Sequence, residues 1–281
     1  MCLAANAHPV TPEQYDAWYD TPRGRWIGER EWEMVRDALS LQPGDSVLDV
    51  GCGTGWFTRH AASAAAHVVG IDIDAAALDF ARRKSQPRVD YLQADATALP
   101  FPDACFDKVM SVAALCFVPD WPRAVAEVVR VSRQRFAIGL LNSTSWLHLR
   151  KASRRSADRY AGAHWHTGAE LAAAMRKVQV ADWAVSYGVF MPCGGVWART
   201  LERGLPVSVP FGSFVLLSGR RPPGRSGQIG VMGLHEADAG RTSRRISDHP
   251  HACATPISTM TKTTVTCIVR SVTLRSTRLP R

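Results

Sequence analysis

The run Val-Leu-Asp-Val-Gly-Cys-Gly-Thr-Gly at positions 47–55 constrains this chain more than any other stretch. Its apolar start around Asp49 reads as a buried strand, and Gly51, Gly53 and Gly55 follow at alternate positions. A strand that stops in such a loop, with a helix after it, lets a ligand lie against bare backbone. Any Cβ there would block the approach or forbid the tight turn. A dinucleotide fingerprint, G-x-G-x-x-G, needs its third glycine at position 56, and that position is Trp56. The pattern is instead G-x-G-x-G, two residues after an acid.

The periodicity of the remaining chain predicts strands alternating with helices. A helix over 29–40 carries Trp32, Val35, Ala38 and Leu39 on one face. After a Pro-Gly turn come strand 46–50, helix 55–65, strand 68–71 ending at Asp72, helix 74–84 and strand 89–92. Strand 106–112, helix 121–131 and strand 136–141 follow. A capping box, Thr167-x-x-Glu170, opens a helix over 168–177, and strands 183–190 and 211–218 close the domain as a hairpin-like pair. Alternation of this kind implies a parallel sheet with right-handed crossovers, a doubly wound α/β fold.

The chain has 281 residues and a net charge of +9, which invites a nucleic-acid reading until the charge is located. Residues 220–281 hold 11 of the Lys and Arg and only 3 of the Asp and Glu, so the first 219 residues are nearly neutral. All Phe, Trp and Tyr lie at or before Phe214. A segment rich in Gly, Pro, Ser, Thr and Arg without aromatics buries too little apolar surface to offset chain entropy. Residues 222–281 are therefore expected to be a basic, disordered tail, with the domain ending near Arg221. No apolar run approaches the roughly 20 residues of a membrane span, and no basic-then-apolar leader opens the sequence. The seven cysteines show no C-x-x-C pair, so cytoplasmic thiols are expected, with neither a disulfide framework nor a metal site.

Residues 47–55 resemble motif I of the class I S-adenosylmethionine (SAM) dependent methyltransferases, and further runs extend the likeness over about residues 11–221, closest to the type 11 methyltransferases. That resemblance implies a Rossmann-like, doubly wound, mostly parallel seven-stranded sheet with the last strand antiparallel at an edge, and SAM as cofactor. In Val-Val-Gly-Ile-Asp-Ile-Asp, 68–74, Asp72 takes the place of the acid that holds both ribose hydroxyls, with Ile73 beside it and Asp74 capping the next helix. In Leu-Gln-Ala-Asp-Ala, 92–96, Asp95 and Ala96 fall where the family meets adenine. Ser111 and Val112 end the fourth strand, facing the methionine part of SAM, and Leu115, Cys116 and Phe117 are expected to floor the substrate side. Many relatives have Glu-His where Cys116 and Phe117 stand, so no imidazole base is expected there, and Cys116 reads as a packing residue.

Residues 1–28 are assigned as a flap over the cofactor, with Tyr15 and Tyr19 as the tyrosines reaching it, although an aromatic stripe at this spacing equally suits a helix packed on the core. The remaining cofactor contacts are assigned to Asp49, for the ammonium end of methionine, and to Gly51, Cys52, Gly53 and Gly55. The domain proper spans 29–221, with a lid or substrate segment at 142–166. That segment carries His148 and His166 as candidate proton acceptors, beside Arg150, Lys151, Arg154, Arg155 and Arg159. One departure from the family is the run Arg130-Val-Ser-Arg-Gln-Arg-Phe136, which lacks the usual Pro-Gly-Gly turn into the fifth strand. The sequence thus predicts methyl transfer to a small organic molecule, with no membrane partner and with nucleic acid disfavoured. It leaves open a non-catalytic SAM-binding module, a nicotinamide-dependent oxidoreductase, a nucleic-acid methyltransferase and the oligomeric state.

Overall fold

A computed structural model describes residues 10–65, 67–152, 162–178, 182–192 and 204–221, together with 180, 195, 198, 200 and 202. Arg154, Arg155 and Arg159 and the tail from 222 lie outside the described residues. The chain runs α1 (Pro12–Trp18), α2 (Pro22–Leu39), β1 (Ser46–Val50), α3 (Trp56–Ala62), β2 (His67–Asp72), α4 (Ala75–Arg83), β3 (Val89–Gln93) and β4 (Phe106–Val112). After a single 3-10 turn at Leu115–Phe117 come α5 (Trp121–Val131), β5 (Ser132–Leu141), α6 (Trp146–Ala152), α7 (Gly168–Val178), β6 (Asp182–Gly188) and β7 (Phe214–Arg220).

These strands form one sheet in the order β3-β2-β1-β4-β5-β7-β6. β1 is parallel to both β2 and β4, and β4 to β5, whereas β7 is antiparallel to β5 and to β6. The antiparallel last strand matches expectation, but it does not lie at the edge. β7 inserts between β5 and β6, and β6 takes the edge, because the hairpin-like pair folds its second strand inward. The order reverses between β2-β1 and β1-β4. In such sheets a crevice opens beyond the carboxyl ends of the strands at that reversal.

Successive residues of the central strands face opposite cores, as the pleat requires. Leu48, Val109, Ile138 and Leu217 face a core closed by Val125, Val128 and Val129 of α5 and Leu171 and Met175 of α7. Their neighbours Val47, Met110, Ala137 and Leu216 face the opposite core, closed by Val35 and Leu39 of α2 and Phe57 and Ala61 of α3. Both faces are covered, so the strands read as near-continuous apolar runs.

Two local features depart from the sequence expectation. α2 starts at Pro22, capped by the Thr21 hydroxyl, so position 28 falls inside a helix whose Trp26, Ile27 and Gly28 are already buried. At the other departure, α5 passes straight into β5 at Ser132, and the pairing with β4 shifts register between Phe106 and Lys108. Guanidinium groups occupy the place of the missing turn. Arg130 donates to Glu127, Asp103 and the carbonyls of Leu99 and Phe101, and Arg133 donates to Asp107 and the carbonyls of Ala104 and Cys105. This network lies at the amino ends of the central strands, away from the crevice. No helix among the described residues is long and apolar enough to cross a membrane.

Candidate functional site

The glycine loop leaves β1 with Gly51, Gly53 and Gly55 all at positive φ, at 75°, 52° and 78°. Each has a different reason. A Cβ on Gly51 would stand 2.2 Å from the Cβ of Ala114, and one on Gly55 would stand 2.4 Å from the Tyr91 hydroxyl. At Gly53 a Cβ would meet nothing within 4 Å, because that position opens into free space. The space is a cavity of about 540 Å³ at the carboxyl ends of β1, β2, β3 and β4.

Of the residues assigned from sequence, Tyr15, Tyr19, Asp49, Gly51, Cys52, Gly53, Asp72, Ile73, Asp95, Ala96 and Val112 line this cavity, as do Leu115 and Phe117. Gly55 and Ser111 do not: Gly55 is turned onto Tyr91 as the left-handed cap of α3, and Ser111 is fully buried in the strand. Cys116 is buried too, and its thiol, which accepts from the Leu141 amide at 3.3 Å, is pushed by burial up to about 12. That thiol stays protonated. His148 and His166 are also absent from the lining. His148 sits against the Trp165 ring, and His166 is completely buried against Trp121. Burial lowers the His166 imidazole to about 4, so it is neutral at physiological pH.

The acids are held in distinct ways. The Asp72 carboxylate accepts from the Gly53 amide at 2.7 Å through one oxygen and from the Asp74 amide at 2.9 Å through the other. It thereby clamps the glycine loop to the end of β2. Asp49 is buried and accepts from the Thr58 hydroxyl at 2.6 Å. Burial pushes its carboxyl up to about 7, against the Thr58 hydrogen bond and with a further push from Asp72. Asp95 is exposed, and one of its oxygens accepts from the Thr97 amide and hydroxyl, both at 2.8 Å. It caps a turn and lines the cavity at once, with the second oxygen outside that turn.

Sequence reasoning missed the groups that hold α1 over the cleft. Asp16, 4 % exposed, accepts from Arg59 at 2.9 Å and from Lys84 at 2.6 Å. Burial alone would raise its pKa, but the Lys84 and Arg59 hydrogen bonds outweigh it and hold the carboxyl below its ordinary value. Arg59 also donates to the Thr54 carbonyl at 2.7 Å, so one guanidinium joins the glycine loop to α1. Trp56 stacks on Tyr19 at 4.5 Å between ring centroids and on His60 at 3.9 Å, and a Cβ on Gly28 of α2 would meet both Tyr19 and Trp56. No local motif marks Asp16 or Arg59, because their partners are 43 and 68 residues away.

The lining decides which ligand fits. It brings four carboxylates, Asp49, Asp72, Asp95 and Asp120, and among the described residues no Lys, Arg or His. Tyr15, Ile73 and Phe117, exposed side chains with large apolar bodies, surround the same space. A pyrophosphate would be repelled here, whereas a cation with a flat apolar body would be attracted. A nucleoside carrying a sulfonium and an ammonium, as SAM does, suits this donor set.

The comparisons with known proteins agree. Residues 48–135 match the family described as "Methyltransferase domain". The seven-stranded sheet superposes on a SAM-dependent methyltransferase of Thermotoga maritima with TM-score 0.59 and 23% identity, covering 75% of this chain and 96% of that one. A SAM-dependent methyltransferase of Mesorhizobium loti superposes with TM-score 0.53 and 25% identity, covering 70% and 100%. The matched segment is thus similar to a methyltransferase domain, the sheet is similar to those of SAM-dependent methyltransferases, and SAM is the cofactor that this likeness implies. Among curated relatives, it is 39% identical over 105 residues to the demethylmenaquinone methyltransferase of Renibacterium salmoninarum, covering 37% of this chain and 44% of that one. It is 38% identical over 129 residues to the malonyl-[acyl-carrier protein] O-methyltransferase of Serratia marcescens, covering 46% and 48%. The chain thus matches about half the length of these relatives.

Proposed function

We propose that the protein transfers a methyl group from SAM to a small organic acceptor. The observation that carries this reading is the cavity built on the Gly53–Asp72 clamp, lined by acids and, among the described residues, by no cation. Bound SAM supplies an electrophilic methyl group on a sulfonium leaving group. The chain supplies binding and orientation. Asp72 keeps acceptor capacity for the ribose hydroxyls, Asp95 and the Ala96 backbone serve adenine, and Asp49 and the amides of the glycine loop hold the amino-acid end. Tyr15 and Tyr19, carried on and just after α1, cover the cofactor and keep water out.

Proton removal is left to the acceptor itself or to solvent. With His148 and His166 away from the cavity lining and the Cys116 thiol protonated, the chain offers none of these groups as a base in the cavity. An acceptor that arrives already nucleophilic needs only positioning, which contributes several kcal/mol to such displacements. The relatives named for demethylmenaquinone and for a malonyl thioester support an organic acceptor over nucleic acid. The free buried thiols of Cys52, Cys105 and Cys116 support a reducing, cytoplasmic setting. The test is mass spectrometry of a metabolite extract incubated with enzyme and methyl-deuterated SAM. One or more small metabolites should gain a labelled methyl group only when active enzyme is present. A non-catalytic SAM-binding module would bind the cofactor and label nothing.

A further inference from the structure

We propose that His164, His166 and Glu170 form a binding site for one divalent transition-metal ion of the zinc class. The three residues stand together for local reasons. Segment 164–166 is tied down at two amides: the His164 amide donates to the Cys116 carbonyl at 2.7 Å and the His166 amide to the Leu141 carbonyl at 2.8 Å, the latter beside an isolated bridge between His166 and Asn142. Held at these two points, the imidazoles of His164 and His166 meet with ring centroids 4.4 Å apart. Glu170 is the capping-box glutamate of α7, so its side chain turns back toward the same segment. One oxygen accepts from the Thr167 amide at 2.7 Å, and the other stands 3.8 Å from His164 Nε2.

One donor atom from each residue lies within 4.8 Å of the other two. Donors at about 2.0–2.2 Å from a metal stand roughly 3–4 Å from one another, so small side-chain adjustments close the set. The His164 and Glu170 side chains are 51% and 44% exposed, which gives an ion a way in and leaves one side of the site facing solvent. The independent sign of a ligand is His166. It is completely buried, and among the described residues neither of its ring nitrogens has a hydrogen-bond partner. Ring nitrogens so placed call for a partner, and a metal ion on one of them supplies it. Two imidazoles and a carboxylate with an open position are a familiar donor set for zinc. The Thr167 hydrogen bonds to Glu170 hold that ligand in orientation. Leu115 and Phe117, on either side of Cys116, line the methyl-transfer cavity, so the hydrogen bond from the His164 amide to the Cys116 carbonyl places the ion site just behind the cavity wall.

Full-length protein stripped with a chelator is titrated with Zn²⁺ by competition calorimetry, beside His164→Ala and Glu170→Gln, both at half-exposed positions. The tail run Asp248-His249-Pro250-His251-Ala252-Cys253 also carries ligand types, so a His249→Ala/His251→Ala double variant is included. One equivalent should bind, each of the first two variants should weaken it at least tenfold, and the tail variant should leave it unchanged. Zn²⁺ should raise the melting temperature of the wild type and of the tail variant but not of His164→Ala or Glu170→Gln. X-ray absorption of the wild-type complex should show two imidazole nitrogens and oxygen. No stoichiometric uptake, uptake indifferent to His164 and Glu170, uptake lost in the tail variant, or a sulfur-containing shell would each overturn the proposal. None of these readouts depends on SAM or on methyl transfer.

Discussion

Gly51 and Gly53 share a left-handed backbone, yet their replacement should have different effects. Alanine at either costs about 1 kcal/mol for its conformation. At Gly51 the added Cβ also collides with Ala114, which carries backbone at the end of β4, so Gly51→Ala should lower the melting temperature by several degrees. At Gly53 the new methyl points into open cavity. Gly53→Ala should stay within a few degrees of wild type in thermal melts yet bind S-adenosylhomocysteine at least tenfold more weakly. Equal losses of stability in the two variants would show that Gly53 is not facing the ligand. A second residue-scale test concerns Glu31 of α2, buried and without a hydrogen bond or ion pair among the described residues, its carboxyl pushed by burial up to about 8. A carboxyl raised on folding contributes stability that is full below its unfolded value and is lost as pH rises through the folded one. Melting temperature should therefore fall between about pH 5 and pH 8.5, and Glu31→Gln should flatten that fall. An unchanged slope would remove Glu31 as its source.

At the scale of elements, α1 is a short helix whose hold on the domain is ionic. Asp16 meets Arg59 and Lys84, Glu13 meets Arg83 at 3.0 Å, and Tyr19 stacks on Trp56. Asp16→Asn removes the buried charge that gathers two cations, and both cations must then find water. We expect cofactor affinity to drop about tenfold, or about 1.4 kcal/mol, with a smaller effect on the sheet's own melting. Calorimetry set beside thermal melts separates the two effects, and an unchanged affinity would mean that α1 does not cover the cofactor. Because the Asp16 carboxyl is held below its ordinary value, this anchor's contribution is present at neutral pH and lost only as pH falls below about 4.

The elements also show what sequence can and cannot give. β1 and β4 run as written in the sequence, since strands buried on both faces leave unbroken apolar runs that periodicity detects. α2 starts earlier than its periodicity predicts because Pro22, Arg23, Gly24 and Arg25 look like a loop in sequence. In the structure proline occupies the first helical turn, and Gly24 lets the helix pass close to the Trp18 carbonyl. Asp72 is legible from its spacing after the glycine loop and Asp49 and Asp95 from the family resemblance, and all three line the cavity. The Asp16–Arg59 link and the His164–His166–Glu170 cluster are not legible. The first depends on long-range contact, and the second on a segment pinned at Cys116 and Leu141.

At the scale of the whole molecule, the sheet brings four carboxylates to one end without a lining cation among the described residues, while at the other Arg130 and Arg133 are paired with Glu127, Asp103 and Asp107. The Arg221 amide donates to the Gln134 carbonyl at 2.9 Å, so the last described residue is still tied to the domain. A chain ending at Arg221 should therefore bind S-adenosylhomocysteine within about twofold of the full chain in parallel titrations. A larger loss would give the basic tail a part in the cofactor site. The most direct test of the account as a whole is calorimetric titration of the full chain with SAM, with S-adenosylhomocysteine and with NADH, repeated on Asp72→Ala. One equivalent of SAM or S-adenosylhomocysteine should bind, at least tenfold more weakly in the variant, and NADH should give no heat. Binding of NADH, or failure of both adenosyl compounds to bind folded protein, would contradict it.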